Sequence, residues 1–376
     1  MIYFDNASTT QCSHESAEIL AHYARQSFYN PSTAYHEGIA VRNEIENSRM
    51  RMLKALGAVD GKIVFTSSGT ESDNLAMFGA RKTNHSRVII SAAEHAAIYY
   101  SALELRRRGY DVCLCPVDKG GRVDLQTFQE LMTKDTSLVS VIHVNNETGG
   151  INDIQQLCRI AKEANPNVLF HSDGVQAFGK IPVSVTNLGV DLYSVSAHKI
   201  NALKGTGALY IGKNLHINPI LFGGGQETGL RSSTEHVGGI IAFAEMAAYY
   251  CEQQKTLSEI AKNIKMTIKD ELRNIQELFF LSDEHSSDFI LSFASSKVRG
   301  EVMQHALERE GILIGTGSAC SSSRASRRVA EAIGLKGKYV DGVVRLSFGR
   351  YNTLDEAKTF IEAYIRKYKE YSKYGN

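Results

Sequence analysis

Long apolar runs are missing from this chain, and their absence removes one class of answer at once: no stretch is long enough to span a bilayer. The first residues, MIYFDNASTT, also lack the basic region and apolar stretch of a signal peptide, so the expected compartment is the cytoplasm. Charge of one sign is scarce too. Lys plus Arg number 42 against 41 Asp plus Glu, a net charge of +1, which gives nucleic acid no general attraction; no direct nucleic-acid partner and no membrane partner is expected. Cysteine is sparse: six in 376 residues, without regular spacing, read as free thiols in a reducing compartment. Internal repeats and low-complexity tails are missing as well.

What is present is an ordinary globular composition, 43% hydrophobic and 22% charged, on a chain too long for one typical core. β-Branched apolar runs alternate with helical patterns, which predicts an α/β fold with a mostly parallel sheet wrapped in helices. Candidate strands are 62–66, 87–91, 112–115, 138–144, 168–173, 191–196 and 207–211. Most run directly into polar loops: SSGTESDN, AAEH, NNETGG, SDGVQ and SAHK. Ligands of open α/β sheets sit at the carboxyl ends of strands, so these loops are where chemistry is expected. The pattern at 36–56 predicts a scaffold helix closing on Gly57. From about Thr234 to Leu278 the pattern turns helical, bridging to a smaller α+β C-terminal domain with strands at 288–293 and 342–347 and a last helix from about Asp355. The predicted division is a large domain, 12–254, and a small one, 1–11 with 255–376. The basic runs at 106–108 and 326–329 read as solvated helix faces.

Two of the loops carry a specific chemistry together. Asp173 in HSDGVQ would end a strand read from Asn167, and Lys199 in SVSAHK would end one read from Asp191. Two strand ends then bring an acid and an amine together. Pyridoxal phosphate requires that pair: a lysine for its aldehyde, and a carboxylate facing its ring nitrogen to keep that nitrogen protonated. Each residue alone is bland, since strand-closing Asp is usually a cap or turn and loop Lys is usually solvated. SSGTESDN adds Gly69, Thr70 and a run of backbone N–H groups opening a helix, a recipe for a phosphate cradle. Asn146 and Gln176 have the donors a ring hydroxyl needs, and His95 has a flat imidazole able to stack on the ring and shuttle protons.

These segments, in this order, resemble the class V aminotransferase group of pyridoxal phosphate enzymes, and within it the cysteine desulfurases of the NifS/IscS type. The matching stretches run from YFDNASTT (3–10) and NPSTAYHEG (30–38) through FTSSGTESDN, AEHAA, HVNNETG, HSDGVQAFGK, SAHK and RSST to TGSACSSS and VRLSFGR. The resemblance implies the fold type I architecture of aspartate aminotransferase, the cofactor pyridoxal 5′-phosphate and no catalytic metal. It makes Lys199 the Schiff-base lysine, Asp173 the partner of the ring nitrogen and His95 the stacking acid/base. Gly69, Thr70, Ser196 and His198 would hold the phosphate, Asn146 and Gln176 would lie near the ring oxygen, and Arg345 would clamp the substrate carboxylate beside Asn146. It also implies a homodimer in which Thr234 reaches the other subunit's phosphate.

The stretch GTGSACSSSR (315–324) narrows the reaction. Cys320 stands among Gly and Ser, which predicts a mobile, exposed loop, whereas Cys113, Cys115, Cys158 and Cys251 sit in apolar patterns and read as structural. An exposed thiolate can attack the sulfur of bound L-cysteine and carry it outward as a persulfide, leaving L-alanine. The implied acceptor is a protein, either an iron–sulfur scaffold or a tRNA-thiolating enzyme. The alternatives are a selenocysteine lyase or another class V aminotransferase, and a pyridoxal-binding scaffold for sulfur transfer. The Cys113-x-Cys115 pair reads as strand packing. Departures from the family pattern are Ala202-Leu203 where Gly-Pro is usual, Ser233 where Gly is frequent, and ASRRVAEAIGL where Pro-Ser-His commonly opens the next helix.

Overall fold

The computed structural model describes residues 1–80, 85–316 and 324–374, so Cys320 and the character expected of its loop lie outside the described residues. In chain order the strands are β1 (Ile2–Phe4), β2 (Lys62–Thr66), β3 (Arg87–Ser91), β4 (Asp111–Cys115), β5 (Thr136–Ser140), β6 (Leu169–Asp173), β7 (Leu192–Ser196) and β8 (Gly207–Ile211). There follow β9 (Leu278–Phe280), β10 (Ile290–Ser295), β11 (Ile312–Thr316) and β12 (Val343–Ser347). They form a seven-stranded sheet of order β2-β8-β7-β6-β5-β3-β4 and a five-stranded sheet of order β1-β11-β12-β10-β9.

In the larger sheet β4, β3, β5, β6 and β7 run parallel, while β8 is antiparallel to both β7 and β2. Two reversals restore the direction, so β2 ends on the same edge as the parallel strands. That edge therefore collects the loops after Thr66, Ser91, Ser140, Asp173 and Ser196. The strands are buried along nearly their whole length, as parallel strands covered on both faces must be. Helices supply the cover; Ile154–Ala164, for instance, is capped by Asp153 and turns Ile154, Leu157, Cys158 and Ala161 inward at helical spacing.

Several boundaries differ from those read in the sequence. β5 stops at Ser140 rather than 144, although residues 141–143 keep company with β6 through Val141 N–H to His171 O (3.1 Å) and His143 N–H to Asp173 O (2.9 Å). β7 stops at Ser196, and Lys199 closes a single 3₁₀ turn (Ala197–Lys199), not the strand itself. The two helical patterns after Thr234 are one helix, Val237–Leu272, which runs straight through the expected boundary at 254/255. Cys113 is half-buried and Cys251 is exposed, because an apolar neighbourhood in sequence does not fix which face of a strand or helix a residue occupies. β1, β9 and β11 were not anticipated; β1 and β9 have three residues each, too short for a period to register.

The segment 2–11 ties the two sheets together. β1 joins β11 in parallel, and Asn6 Nδ2 donates to Ser347 O (2.9 Å) and to Asn352 Oδ1 (3.0 Å) in the small sheet's territory. On the other side Thr10 N–H donates to His198 O (3.0 Å), and Asn201 N–H donates to Thr10 Oγ1 (2.8 Å).

A second fastening lies beneath the β2 loop. Arg49 donates to Glu227 Oε2 (2.7 Å) and Oε1 (3.1 Å) and to Ile63 O (2.7 Å), while Phe65 N–H donates to Glu227 Oε2 (2.8 Å). Glu227 and Thr228 sit at φ +49° and +55°, left-handed values that cost non-glycine residues free energy. The ion pair holds them there. Replacing Arg49 by Met strands the carboxylate of Glu227, whose side chain is 2% exposed, so the variant is expected to lose about 3–5 kcal/mol in denaturant unfolding. A loss under about 1 kcal/mol would mean the pair contributes no more than a surface contact.

Candidate active site

At the end of β2, Ser68 caps the helix Gly69–Gly79 by accepting from Glu71 N–H (3.1 Å). Gly69 must be glycine: a Cβ there would stand 2.7 Å from Val175 Cγ2 and 3.4 Å from Ser196 Cβ. Its bareness lets the helix N-terminus abut the end of β7. Ser196 Oγ is buried without a partner. Free backbone amides beside an idle hydroxyl make an anion cradle. Thr70 lies exposed at its rim. His198 is half-buried with its ring 3.0 Å from Thr9 Oγ1, and burial followed by the nearby Lys199 pushes its pKa down to about 4, so it is neutral.

Asp173, at the end of β6, is 2% exposed and accepts Val175 N–H at 2.9 Å. One of its carboxyl oxygens, one of Asp73 and one ring nitrogen of His95 lie within 4.8 Å of one another. Burial raises the pKa of both carboxyls, and the charge of Asp173 raises that of Asp73 further; His95 and Lys199 pull Asp173 back down. Asp73 is therefore the harder of the two to ionise, and a cation in the cleft would favour the Asp173 carboxylate. Behind them His171 is sealed between Ser140 Oγ and Ser194 Oγ, both 2.9 Å away, with its pKa pushed by burial to about 3. His95 caps the helix Ala96–Arg107 through Nδ1, which accepts Ala97 N–H at 3.2 Å. Its ring is open to the cleft, yet the protein crowded around it lowers its pKa, so the imidazole is available as a base.

Lys199 Nζ donates to Ala7 O and Ser8 O, each at 2.7 Å. Burial and then the charge of Arg345 lower its pKa to about 8. Gln176 Nε2 donates to the same Ala7 O (2.8 Å), while its Oε1 accepts from Lys180 Nζ (2.9 Å), a buried amine whose pKa burial lowers to about 7. Arg345, on β12, donates to Asp5 Oδ1 (2.7 Å) and Asn146 O (2.8 Å); its Nε and Asn146 Oδ1 are buried without partners. Gly315 on β11 pairs with Arg345, and a Cβ there would lie 2.6 Å from Asp5 Oδ1, so the strand leading toward Cys320 is bare where it passes the Arg345–Asp5 pair. Glu147, with a pKa raised by burial to about 7 against the pull of Arg345 and Arg328, completes the wall.

The structure thus brings Gly69, His95, Asn146, Asp173, Gln176, Ser196, His198, Lys199 and Arg345 to one edge. Thr234 is exposed, on a loop tied to the cradle helix by Arg231 Nε to Glu71 Oε1 (2.9 Å). Asp5, Asp73, Glu147, Lys180 and Arg328 were missed in the sequence. Asp73 and Glu147 stood inside quoted loops and could have been found there; the others announce themselves only by contact. The reading of 326–329 as a solvated face fails for Arg328, which is half-buried and donates to Ala92 O (2.7 Å) and Glu94 O, whereas Arg327 does face outward, paired with Asp341.

A pKa of about 8 sets an expectation for the free protein. Reductive alkylation of Lys199 with a small aldehyde, followed by peptide mapping, is expected to accelerate with pH and level off above about 8, because the neutral amine reacts. Surface lysines should level off about two units higher. Lys199 behaving like them would contradict the burial described.

The family model for aminotransferase class V matches residues 2–360. Cysteine desulfurase IscS of Dictyoglomus turgidum is 37% identical over 99% of this chain and 96% of its own length. A solved NifS-like protein superposes with a TM-score of 0.91 at 33% identity, covering 98% of this chain and 99% of the other. SspA, solved in complex with cysteine, superposes with a TM-score of 0.82 at 28% identity, covering 94% and 100%. With that sheet order, that lysine and carboxylate at its edge and relatives matched end to end, the chain belongs to the aminotransferase class V family, among the cysteine desulfurases of the NifS/IscS type.

Proposed function

We propose that this protein is a pyridoxal 5′-phosphate-dependent cysteine desulfurase that converts L-cysteine to L-alanine and stores the sulfur as a persulfide on Cys320. The observation that carries this reading is the convergence of low-pKa Lys199, buried Asp173 and Arg345 on one cleft, with β11 leading past that cleft toward Cys320. The polar groups at the cleft accord with the cofactor: the amides at Gly69 and Thr70, with the idle Ser196 Oγ and neutral His198, suit a phosphate, and Asn146, with its idle Oδ1, and Gln176 suit the ring oxygen. Asp173 would face the ring nitrogen. When bound, the cofactor supplies an electron sink for the carbon from which a proton is removed.

The chain's own residues do the rest. Arg345 has an unpartnered Nε and fixes the substrate carboxylate, giving up part of its hold on Asp5. Lys199 would hold the cofactor through its aldehyde, and its amine, with a pKa near 8, is suited to carry the proton from the substrate α-carbon. His95 takes the proton at the substrate sulfur. Cys320 Sγ then attacks that sulfur: the S–S bond forms as the C–S bond breaks, and the electron pair stays with the carbon fragment, which takes up a proton and leaves as alanine. The persulfide passes to an acceptor protein in the cytoplasm. That acceptor is an iron–sulfur scaffold or a tRNA-thiolating enzyme. The same reading treats 12–254 as the cofactor-binding unit and 1–11 with 255–376 as the unit that carries Cys320, in line with the pairing of β1 and β11.

Replacing Cys320 by Ser tests the central step. The variant is expected to bind cofactor and to change its visible spectrum with cysteine, while alanine formation falls by about 10²-fold or more, since a hydroxyl is a poor nucleophile toward sulfur. Near-normal alanine output would refute the persulfide route.

The proposal includes a homodimer with shared sites, in which Thr234 of the partner subunit contacts the phosphate. Lys199→Ala and Thr234→Glu homodimers should each be inactive, the second because a carboxylate faces the phosphate. In a mixed dimer with sharing across the interface, one site receives both normal residues and the other both lesions. About half the wild-type activity per mixed dimer should then return. No recovery, with mixing confirmed by mass, would place Thr234 within its own chain.

A further inference from the structure

Arg328 is committed to one neighbouring loop on three counts. Nη1 donates to Ala92 O at 2.7 Å, Nη2 donates to Glu94 O, and the guanidinium lies over the Tyr99 ring, 4.2 Å from its centroid. Those carbonyls belong to the residues leading into His95, and Tyr99 belongs to the helix that His95 caps. Apolar packing reinforces the grip: Val329 and Ile333 share a small buried cluster with Ala93 of the same loop. The acidic groups facing Arg328 are Glu147 and the fully buried Glu94. Charge-assisted hydrogen bonds in half-buried surroundings are costly to break, so the 92–95 loop cannot shift without loss. The helix that carries Arg328, Arg324–Ala332, is the one that follows Cys320 in sequence.

We infer that Arg328 is a positioning residue for His95: it fastens the 92–95 loop to the helix Arg324–Ala332, so that the proton-handling imidazole is held in a fixed place at the cleft. The inference rests on the desulfurase reading above. The grip needs a planar donor fork with a face for Tyr99, which the Arg328 guanidinium supplies.

The test uses the holoenzyme and Arg328→Ala, with Arg328→Lys as the second variant. Wild-type enzyme is assayed first; failure to form alanine would sink the desulfurase reading, and the inference with it, before any variant is made. For Arg328→Ala, kcat for alanine formation is expected to fall about 30-fold while KM for cysteine stays within about twofold, since misplacement of a proton-transfer group spares substrate binding. The visible spectral change on adding cysteine should persist. Millimolar methylguanidinium should restore part of kcat by filling the vacated place between the two carbonyls and the Tyr99 ring, whereas methylammonium should not. Arg328→Lys should fall between, at normal melting temperature. The inference is overturned if kcat of Arg328→Ala stays within twofold of wild type, if methylguanidinium restores nothing, or if the spectral change with cysteine is lost. Should Arg328→Ala not fold, full kcat in Arg328→Lys overturns the inference and a reduced kcat at unchanged KM sustains it.

Discussion

Everything at the cleft hangs on ten residues at the start of the chain. Two backbone carbonyls, Ala7 O and Ser8 O, hold the amine of Lys199, and Ala7 O holds Gln176 as well. Asp5 holds Arg345, and Thr9 holds the ring of His198. Side chains that come from β12 and from the turn after β7 are both bonded by this segment. A carbonyl is a suitable holder for a lysine that must later let go: it orients the amine without adding a full negative charge, so burial and Arg345 still keep the pKa near 8. Had a carboxylate occupied that place, the amine would be held protonated and unreactive.

The acidic side of the cleft follows a complementary logic. Asp73, Glu94 and Asp173 are all buried, and such a group of carboxyls cannot all ionise. Burial falls on all three; His95 and Lys199 offset it for Asp173, and Arg328 offsets it for Glu94. Asp173 is the carboxyl whose ionisation a cation entering the cleft would favour. A positively charged ring nitrogen is the kind of entrant that environment rewards.

Much of this was legible in the sequence, for definite reasons. The parallel strands announced themselves because burial on both faces leaves unbroken apolar runs, and their carboxyl ends gave the loops of the site with Asp173, Lys199 and His95 in place. What stayed hidden was contact over long sequence distance. Nothing in YFDNASTT marks two of its carbonyls as partners for Lys199, and a three-residue strand such as β1 leaves no period to read. Arg328 looked like any exposed charge in a run of charges, since the carbonyls it grips lie more than two hundred positions away. The helix Val237–Leu272 read as two because its first half packs on apolar neighbours and its second meets solvent on one face, a change of surroundings without a break in the backbone.

The parallel pairing of β1 with β11 sets Ile2 against Ile312. A chain emerging from the ribosome at about 5–20 residues per second therefore carries its first strand without a partner for roughly tens of seconds. During that interval the large sheet can form, but Asp5 has no Arg345 and the stretch that holds Lys199 has no anchor on the far side. Completion of the cleft is thereby deferred until translation is nearly finished. The arrangement acts as a timer written into the topology: a nascent chain cannot complete the cleft around Lys199 before its last strand, β12, has been made.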